Sequence, residues 1–260
     1  MSAQTVDIAL AGVSFAYPDG RQALRGITCR FAAGRCTAVA GPNGSGKSTL
    51  LGLLNGIHLA GSGEVRIGDL VVGKHTLEQV RRRVGLVFQE PDWQLFCPTV
   101  GEDVAFGPLN LGLGRAEVAE RVRETLSVIE LPGFEDRSPF HLSGGEKKLA
   151  SLATVLAMRP EVLALDEPTA GLDPFHRRRL IDLVRRLAGT RILATHDLDL
   201  ALDLADDLVL LDEGRLVAAG PAGELLRDRE LLERHRLELP LRLQGDPAPP
   251  SPTLNNHELH

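Results

Sequence analysis

Apolar and polar residues alternate in short runs over the first forty positions, and turn-forming segments at Pro18-Asp19-Gly20 and Ala33-Gly34 separate the runs. Alternation with a period of two predicts antiparallel strands joined by hairpins. The pattern then changes, because a short strand-like run from Thr37 to Ala40 meets a glycine-rich turn. Leucines recur at helical spacing from Ser48 to Leu54. This order predicts a strand, a loop and a helix.

Later in the chain, short apolar runs alternate with helical stretches, which is typical of a parallel sheet with crossover helices. The predicted strands are Glu64–Ile67, Val84–Phe88, Val162–Leu165, Arg191–Ala194 and Leu208–Leu211.

Between Gln89 and Leu142 the strand pattern is absent, and two helices are predicted, one beginning near Thr99 and one over Arg115–Glu130. We therefore expect an α/β fold whose core carries an antiparallel β subdomain and an α-helical subdomain inserted at about residues 90–142. One domain would span residues 6–240, and the Pro-rich segment at 241–260 would be a disordered tail.

The composition is that of an ordinary globular protein, with 43% hydrophobic and 25% charged residues among 260. A formal net charge of -6 argues against a nucleic-acid partner, because neutralising phosphates requires a basic face. No apolar run is long enough to cross a bilayer and the first residues lack a signal-peptide pattern, so we expect a cytosolic location. The three cysteines lack metal-ligand spacing and suit a reducing compartment.

A glycine-rich segment of the form G-x-x-x-x-G-K-[ST] lies between the predicted strand and helix. Its residues are Gly41, Pro42, Asn43, Gly44, Ser45, Gly46, Lys47, Ser48 and Thr49. Glycines in such a loop let backbone N–H groups converge on phosphate oxygens, and the helix N-terminus adds a favourable dipole. Lys47 would reach the β- and γ-phosphates of a nucleotide, and Ser48 would offer a hydroxyl to Mg²⁺.

Two carboxylates, Asp166 and Glu167, follow the apolar run that begins at Val162. They would stand at the carboxyl end of a strand, where ligands of α/β proteins bind. Beside a phosphate-binding loop, we expect Asp166 to serve Mg²⁺ through its water shell and Glu167 to polarise the attacking water.

Ser143 and Glu146 have the spacing of a helix capping box, and Gly144 and Gly145 lie between them. Two glycines in a first helical turn are unfavourable unless something must approach the backbone closely. A phosphate is the natural candidate, so these four residues are predicted to bind nucleotide.

With these motifs the chain resembles the nucleotide-binding subunits of ATP-binding cassette (ABC) transporters over nearly all of residues 6–220. The LSGGE sequence from Leu142 to Glu146 is similar to the signature motif of that family, which completes the ATP site of the opposite subunit. The resemblance implies a P-loop NTPase (ABC ATPase) core with ATP and Mg²⁺ as cofactors. It also implies a head-to-tail homodimer with two ATP molecules at its interface.

Four further residues match functional positions of that family. The resemblance implies that Gln89 contacts Mg²⁺ and water and that His196 contacts the γ-phosphate. It also places Asp173 in the D-loop and Tyr17 against adenine. Structural explanations stand beside these roles, because Asp173 can cap a helix that begins at Pro174, and a lone histidine after a strand is usually a satisfied core residue.

The segments from Val87 to Phe96 and from Thr99 to Pro108 look like those of ATPases in energy-coupling factor (ECF) importers. SGGEKK and DEPTAGLDP are similar to the cobalt and nickel branch, although Leu149 stands where related chains usually have a basic residue. The resemblance implies import of cobalt or nickel through integral membrane subunits that dock near Gln89–Pro108. The chain would then be peripheral, on the cytoplasmic face of the inner membrane.

Other functions stay open at this point. The same motor in a vitamin importer, such as a biotin system, is the nearest alternative. A soluble cassette ATPase of DNA repair or translation is disfavoured by the single cassette, the lack of a coiled-coil insertion between Lys47 and Ser143, and the acidic balance. A P-loop kinase does not explain LSGGE together with His196.

Trp93, Leu95 and Phe96 place large apolar side chains just beyond Gln89. We expect them to be exposed together and to be covered by a helix of the membrane partner, because a soluble monomer has no reason to expose them. The alternative is that they fold into the small core of the helical subdomain.

Overall fold

A computed structural model describes residues 5–245. The strands are β1 (Ile8–Ala16), β2 (Gln22–Phe31), β3 (Cys36–Ala40), β4 (Ser62–Ile67), β5 (Leu70–Val71), β6 (Val84–Val87), β7 (Val162–Asp166), β8 (Thr190–Thr195), β9 (Asp207–Asp212) and β10 (Arg215–Pro221). The helices are α1 (Lys47–Leu54), α2 (Leu77–Arg83), α3 (Val100–Asn110), α4 (Arg115–Val128), α5 (Gly144–Leu156), α6 (Pro174–Arg186), α7 (Leu198–Leu204), α8 (Ala222–Leu225) and α9 (Arg229–Arg234). Three short 3₁₀ turns cover Pro91–Trp93, Pro139–His141 and Leu241–Leu243.

The central sheet has six strands in the order β10-β9-β3-β8-β7-β6, and only the β10–β9 pair is antiparallel. Ala40 pairs with Thr195 and Asp166 pairs with Ala194, so β3, β8 and β7 end level with one another. The segments that follow these strands therefore meet at one edge of the sheet, where parallel α/β folds bind ligands.

A second sheet is antiparallel, in the order β2-β1-β4-β5. The prediction that Glu64–Ile67 belongs with the parallel strands is wrong, because Ile67 pairs with Ile8 in the antiparallel sheet. The exposure pattern of β4 explains the difference: Val65 and Ile67 are buried while their neighbours are exposed. Such alternation marks a strand with one face in water, whereas parallel strands are buried on both faces.

Helix α1 lies between the two sheets, and its leucines belong to a core cluster that includes Ile8, Phe31, Val39 and Val209. A second cluster joins α3, α4 and α5, and includes Val104, Val118, Leu126, Leu149 and Leu152. The buried face of each helix thus fixes its position, since burying one such side chain stabilises the fold by about 1.5–3 kcal/mol.

The predicted tail needs a correction at its start. Leu241–Leu243 form a 3₁₀ turn, and Arg242 forms ion pairs with Asp199 and Asp203, which anchor the turn to α7. The rest of that predicted tail, residues 246–260, lies outside the described residues. Within residues 5–245, no helix combines the length and apolar character that crossing a membrane requires.

Candidate active site

The loop between β3 and α1 is built around glycines and a buried lysine. A Cβ atom at Gly41 would lie 2.1 Å from the carbonyl oxygen of Leu211, and one at Gly46, where φ is 105°, would lie 2.8 Å from that of Ala23. Both positions therefore require glycine. The Lys47 ammonium donates to the carbonyl oxygens of Gly41 at 2.8 Å and Pro42 at 3.2 Å, which closes the loop around it.

Burial lowers the pKa of Lys47, while the charges of Glu167 and Asp166 oppose the shift. The Lys47 Nζ atom lies 3.9 Å from the nearer Glu167 carboxylate oxygen. The Lys47 ammonium group thus lies among two carbonyl oxygens and two carboxylates at the floor of the loop, where a phosphate would lie.

Ser48 and Asp166, predicted as metal ligands, are in direct contact, and the Ser48 hydroxyl donates to the carboxylate at 3.0 Å. Burial raises the pKa of Asp166, and the bond from Ser48 works against that shift. A hydroxyl beside a carboxylate is the type of oxygen donor set that Mg²⁺ prefers. Gln89, the third predicted ligand, lines the cleft beside Ser48.

Glu167 is held from several sides and is 7% exposed. Its carboxylate accepts hydrogen bonds from the Thr195 hydroxyl at 3.1 Å, from the backbone N–H of His196 at 3.0 Å and from the His196 ring at 2.8 Å. Its backbone N–H donates to Ala194 at 2.9 Å. The structure thus brings together the ends of β7 and β8 and fixes one carboxylate facing the cleft.

A cleft of about 360 Å³ contains most of the predicted nucleotide-binding residues. Its lining includes Tyr17, Asn43, Gly44, Gly46, Lys47, Ser48, Thr49, Gln89, Glu167 and His196. Gly41, Pro42, Ser45 and Asp166 are not part of this lining. The first two accept from Lys47, Ser45 donates its backbone N–H to Pro42, and Asp166 accepts from Ser48.

Tyr17 stands at one end of the cleft, and its hydroxyl is hydrogen-bonded to that of Thr49 at 2.8 Å. The Arg21 guanidinium lies 4.8 Å from the centre of the Tyr17 ring, within the range of a cation–π contact. Arg21 also lines the cleft, and sequence reasoning missed it. Its position four residues after Tyr17, beyond a Pro-Asp-Gly turn, was the available clue.

The four signature-segment residues lie elsewhere. Ser143 caps α5 by accepting from the Glu146 N–H at 3.3 Å, and the Glu146 carboxylate accepts from the Ser143 N–H at 2.8 Å, which completes the predicted capping box. The bond from the Ser143 backbone N–H and then that from the Ser143 hydroxyl lower the pKa of Glu146. Gly144 lines a second cleft of about 470 Å³, which has Gln89 in common with the first, and both Ser143 and Gly144 are exposed.

Gly145 has a different reason to be glycine. A Cβ atom there would lie 2.3 Å from the ring of His176, so the close approach is made by a side chain of the same chain. The ring of His176 is in turn bonded to the Asp173 carboxylate at 2.6 Å.

Asp173 caps α6, because its carboxylate accepts from the backbone N–H groups of Phe175 and His176 at 2.9 and 3.0 Å. The backbone bond from His176, followed by the bond from its ring, lowers the pKa of Asp173. The capping explanation for Asp173 is therefore correct, and Asp173 is not part of the lining of the 360 Å³ cleft.

A family model described as ABC transporter matches residues 24–170, more than half of the chain. The chain belongs to the ABC transporter family of ATP-binding proteins. This ABC ATPase is 48% identical over 238 residues to the energy-coupling factor transporter ATP-binding protein EcfA of Methanothermobacter thermautotrophicus, with 90% of this chain and 76% of that protein covered.

Two solved structures resemble this ABC ATPase. The cbiO1 protein from Clostridium perfringens, described as part of the ABC transporter complex cbiONQ, has a TM-score of 0.77 and 36% identity, and the match covers 87% of this chain and 93% of that one. A dimeric ATP-binding cassette in a post-hydrolysis state, bound to ADP and Pi, has a TM-score of 0.74 and 27% identity, with coverage of 83% and 98%. The predicted P-loop ABC ATPase fold is confirmed, and the activity is ATP hydrolysis coupled to transport.

Lys148 of the ABC ATPase is a buried residue that sequence reasoning did not assign to the site. Its ammonium donates to the carbonyl oxygens of Gln89 and of Glu167, the latter at 3.3 Å. Burial lowers its pKa, against the attraction of Glu90, Asp166 and Glu167. The available clue was spacing, since Lys148 lies four and seven residues before Leu152 and Val155 and therefore on the buried face of α5.

The exposure of the three large apolar residues beyond Gln89 agrees with the prediction for only two of them. Trp93 is 73% and Phe96 59% exposed, whereas Leu95 is 5% exposed and belongs to the core cluster of α3, α4 and α5. The prediction that all three are exposed together is thus wrong for Leu95, which follows a 3₁₀ turn that directs it inward. The Phe96 ring packs edge-to-face on that of Phe106, with centroids 5.0 Å apart.

Proposed function

We propose that this ABC ATPase is the nucleotide-binding subunit of an ECF importer, and that its ATP hydrolysis drives uptake of cobalt or nickel ions through membrane partners. The observation that carries the proposal is the docking surface, which we define as Trp93, Phe96 and Phe106. All three side chains are about half exposed or more. Monomeric proteins rarely leave such aromatic groups uncovered together, so a helix of an integral membrane subunit covers them along residues 89–108.

The docking surface is also well placed to respond to nucleotide. Gln89 lines the nucleotide cleft, and the 3₁₀ turn that carries Trp93 begins two residues after it. The Asp103 carboxylate accepts from the backbone N–H groups of Phe96 and Cys97 at 3.0 and 2.9 Å, which holds the segment in shape. A displacement of Gln89 therefore reaches the surface through a short, tethered segment.

Within the cleft, Glu167 polarises the water that attacks the γ-phosphate, since its carboxylate is already aligned by Thr195 and His196. His196 contacts the γ-phosphate, and Lys47 reaches the β- and γ-phosphates from the loop. The loop residues from Asn43 to Thr49 hold the phosphates with backbone N–H groups, and Gly41 and Pro42 shape the loop through the carbonyl oxygens that accept from Lys47. Tyr17 stacks on adenine, a contact worth about 1–3 kcal/mol for aromatic–base pairs.

Ser48, Gln89 and Asp166 would hold Mg²⁺, since their oxygen atoms suit a hard cation. When bound, this ion neutralises charge on the phosphate oxygens. The bond of 3.0 Å between Ser48 and Asp166 keeps the hydroxyl in place for that role.

A head-to-tail homodimer completes the site, with two ATP molecules at its interface. Ser143 and Gly144 are exposed, and neither lines the nucleotide cleft of its own chain. We therefore place the signature segment, Ser143 to Glu146, against ATP held by a second copy, with Asp173 near the same interface.

In this proposal residues 6–240 act as one ATPase domain with a helical subdomain at about 90–142. The chain is peripheral on the cytoplasmic face of the inner membrane and has no nucleic-acid partner. The metal branch is supported by the similarity of SGGEKK and DEPTAGLDP to that branch. The likeness to a protein of the cbiONQ complex supports the role as a transporter subunit. A vitamin importer is the alternative, because the chain is also similar to EcfA, whose name specifies neither a metal nor a vitamin.

Uptake by intact cells tests the substrate. Cells that lack this chain are compared with cells that carry the wild type or Glu167→Gln, using radioactive cobalt, nickel and biotin in parallel. We expect metal accumulation to return only with the wild-type chain, while biotin accumulation is the same in all strains. If biotin accumulation depended on this chain and metal uptake did not, the chain would be a subunit of a vitamin importer and the metal proposal would be wrong.

Replacing both Trp93 and Phe96 by serine tests the docking surface, with Leu241→Ser as a control at an equally exposed position. We expect the double variant to keep the ATPase activity of the isolated subunit but to lose co-purification with the membrane subunits and ATP-driven metal uptake. The control should keep all three properties. Unchanged partner binding and uptake in the double variant would exclude docking at this surface.

A further inference from the structure

Lys148 carries an ammonium group in the protein interior, where an unpaired charge lowers the stability of the fold. Its side chain is 4% exposed, and an ammonium group taken out of water destabilises a protein unless it is paired or hydrogen-bonded. Its partners are two backbone carbonyl oxygens, those of Gln89 and Glu167. The chain thus retains a buried charge to hold two main-chain positions.

Those two positions are neighbours at the carboxyl edge of the central sheet. Gln89 comes shortly after β6, Glu167 follows β7 directly, and these strands pair in parallel with Val87 opposite Leu165. One ammonium group between the two segments fixes the direction of both backbones, and therefore the direction in which the side chains leave.

The backbone at Glu167 needs such support. Its φ angle is 41°, in the left-handed region that costs a non-glycine residue about 1–2 kcal/mol. A strained conformation persists only where surrounding contacts determine it. At Glu167 the N–H donates to the carbonyl oxygen of Ala194, and the carbonyl oxygen accepts from the Ala170 N–H at 3.1 Å and from Lys148 at 3.3 Å. Lys148 is the one of these partners that also holds Gln89.

Lys148 lies on α5, the helix that Ser143 caps, within two turns of the signature segment. The same helix therefore carries the residues assigned to the ATP of the second copy and the ammonium group that holds Gln89 and Glu167 of its own chain. A shift of α5 moves both together.

We propose that Lys148 is a positioning residue for ATP hydrolysis, which sets the backbones of Gln89 and Glu167 from the signature helix without touching the nucleotide. The inference rests on the proposed roles of Gln89 and Glu167. It predicts a defect in turnover rather than in ATP binding, because the phosphate loop makes its own contacts.

The test compares Lys148→Met, which removes the ammonium group and keeps an unbranched apolar side chain of the length of the lysine stem, with Lys148→Arg, which keeps the charge and the N–H donors. Lys147→Met is the matched control, since Lys147 is adjacent and its bond goes to the exposed Asp92. ATP turnover, KM, affinity for a fluorescent ATP analogue and Tm are measured for each.

We expect Lys148→Met to lower kcat by about 10- to 100-fold, the scale of a small misplacement of catalytic groups, while KM and nucleotide affinity change by less than about threefold. Lys148→Arg should recover much of the loss, and Lys147→Met should stay near the wild-type rate. If Lys148→Met does not fold, Lys148→Gln, whose shorter side chain does not span to both carbonyls, is judged by the same criteria.

A wild-type kcat in folded Lys148→Met would overturn the proposal. It would also be overturned if turnover, affinity and Tm fell together without recovery in the Arg variant, or if Lys147→Met were equally slow. Glu167→Gln is measured alongside, so that failure of the role proposed for Glu167 can be told from failure of the role proposed for Lys148. Fast turnover in Glu167→Gln contradicts the role of Glu167, whereas slow Glu167→Gln with fast Lys148→Met contradicts the role of Lys148 alone.

Discussion

The nucleotide cleft and the signature segment are held together by contacts of different range. At the cleft, Lys47 and Glu167 in the lining and Asp166 next to it are all buried, and bonds such as that from Ser48 to Asp166 join residues more than a hundred positions apart. In the signature segment, Ser143 and Gly144 are exposed, and the bonds of the capping box join residues only three positions apart.

This difference indicates that one chain forms the nucleotide cleft by itself but does not bring its signature segment to that cleft. The cleft is preorganised, because long-range contacts orient its lysine and carboxylates before any ligand is present. The signature segment is a capped helix N-terminus turned to solvent, and in the proposed dimer its backbone N–H groups would meet the ligand of the second copy. The asymmetry is the structural argument for a second copy.

The largest loss of ATP turnover is expected from a substitution in the nucleotide cleft. Glu167→Gln keeps the shape of the side chain but removes the carboxylate, so ATP turnover should fall by about 10²–10⁴ while ATP binding is retained. Steady-state turnover and nucleotide affinity measure the two effects. Glu161→Gln is the control at the opposite end of β7, and a wild-type rate in Glu167→Gln would remove Glu167 from catalysis.

The next effect tests whether the signature segment works on the second copy. Lys47→Ala and Ser143→Arg should each abolish turnover in homodimers, since every site then lacks one half. Mixed dimers contain one intact composite site, so mixing should restore roughly a quarter of the wild-type rate if chains pair at random.

Covalently linked dimers provide the control for mixing. A linked dimer of one Lys47→Ala and one Ser143→Arg chain should turn over ATP, whereas a linked dimer with both changes on both chains should not. Failure of the linked mixed dimer, while the linked wild type is active, would contradict sharing across the interface.

The smallest effect concerns the local contacts themselves. Ser143→Ala and Thr99→Ala each remove an N-cap side chain, from α5 and α3 respectively, and each should lower the free energy of unfolding by about 0.5–2 kcal/mol. Only Ser143→Ala should also slow ATP turnover. Equal turnover in the two variants, measured beside their denaturant midpoints, would mean that Ser143 is a cap and nothing more.

Much of the site could be predicted because its motifs are contiguous. The order of strand, glycine-rich loop and helix from Thr37 to Leu54 was predicted correctly, since periodicity and glycine content are local properties. The capping box at Ser143 and the cap at Asp173 are also local, and the structure contains both.

The predictions are wrong where the local sequence is compatible with two different burial states or two different pairing partners. Leu95 was grouped with its exposed aromatic neighbours, yet it belongs to a core cluster that several helices form. Glu64–Ile67 was assigned to the parallel sheet because short apolar runs do not specify their pairing partner. The motif that contains Lys148 does not show that its side chain is buried, because its burial depends on packing of α5 against the ends of β6 and β7.

The sequence by itself determined which chemical groups this ABC ATPase carries and the local shape of each motif, because loops, caps and helix faces depend on residues within a few positions of one another. Only the tertiary structure decided which of these groups meet. The parallel register brings the ends of β3, β7 and β8 to one edge, and so joins Ser48 to Asp166 and Glu167 to His196. Packing against distant elements decided the rest: it buried Lys148 and left Ser143 and Trp93 in solvent.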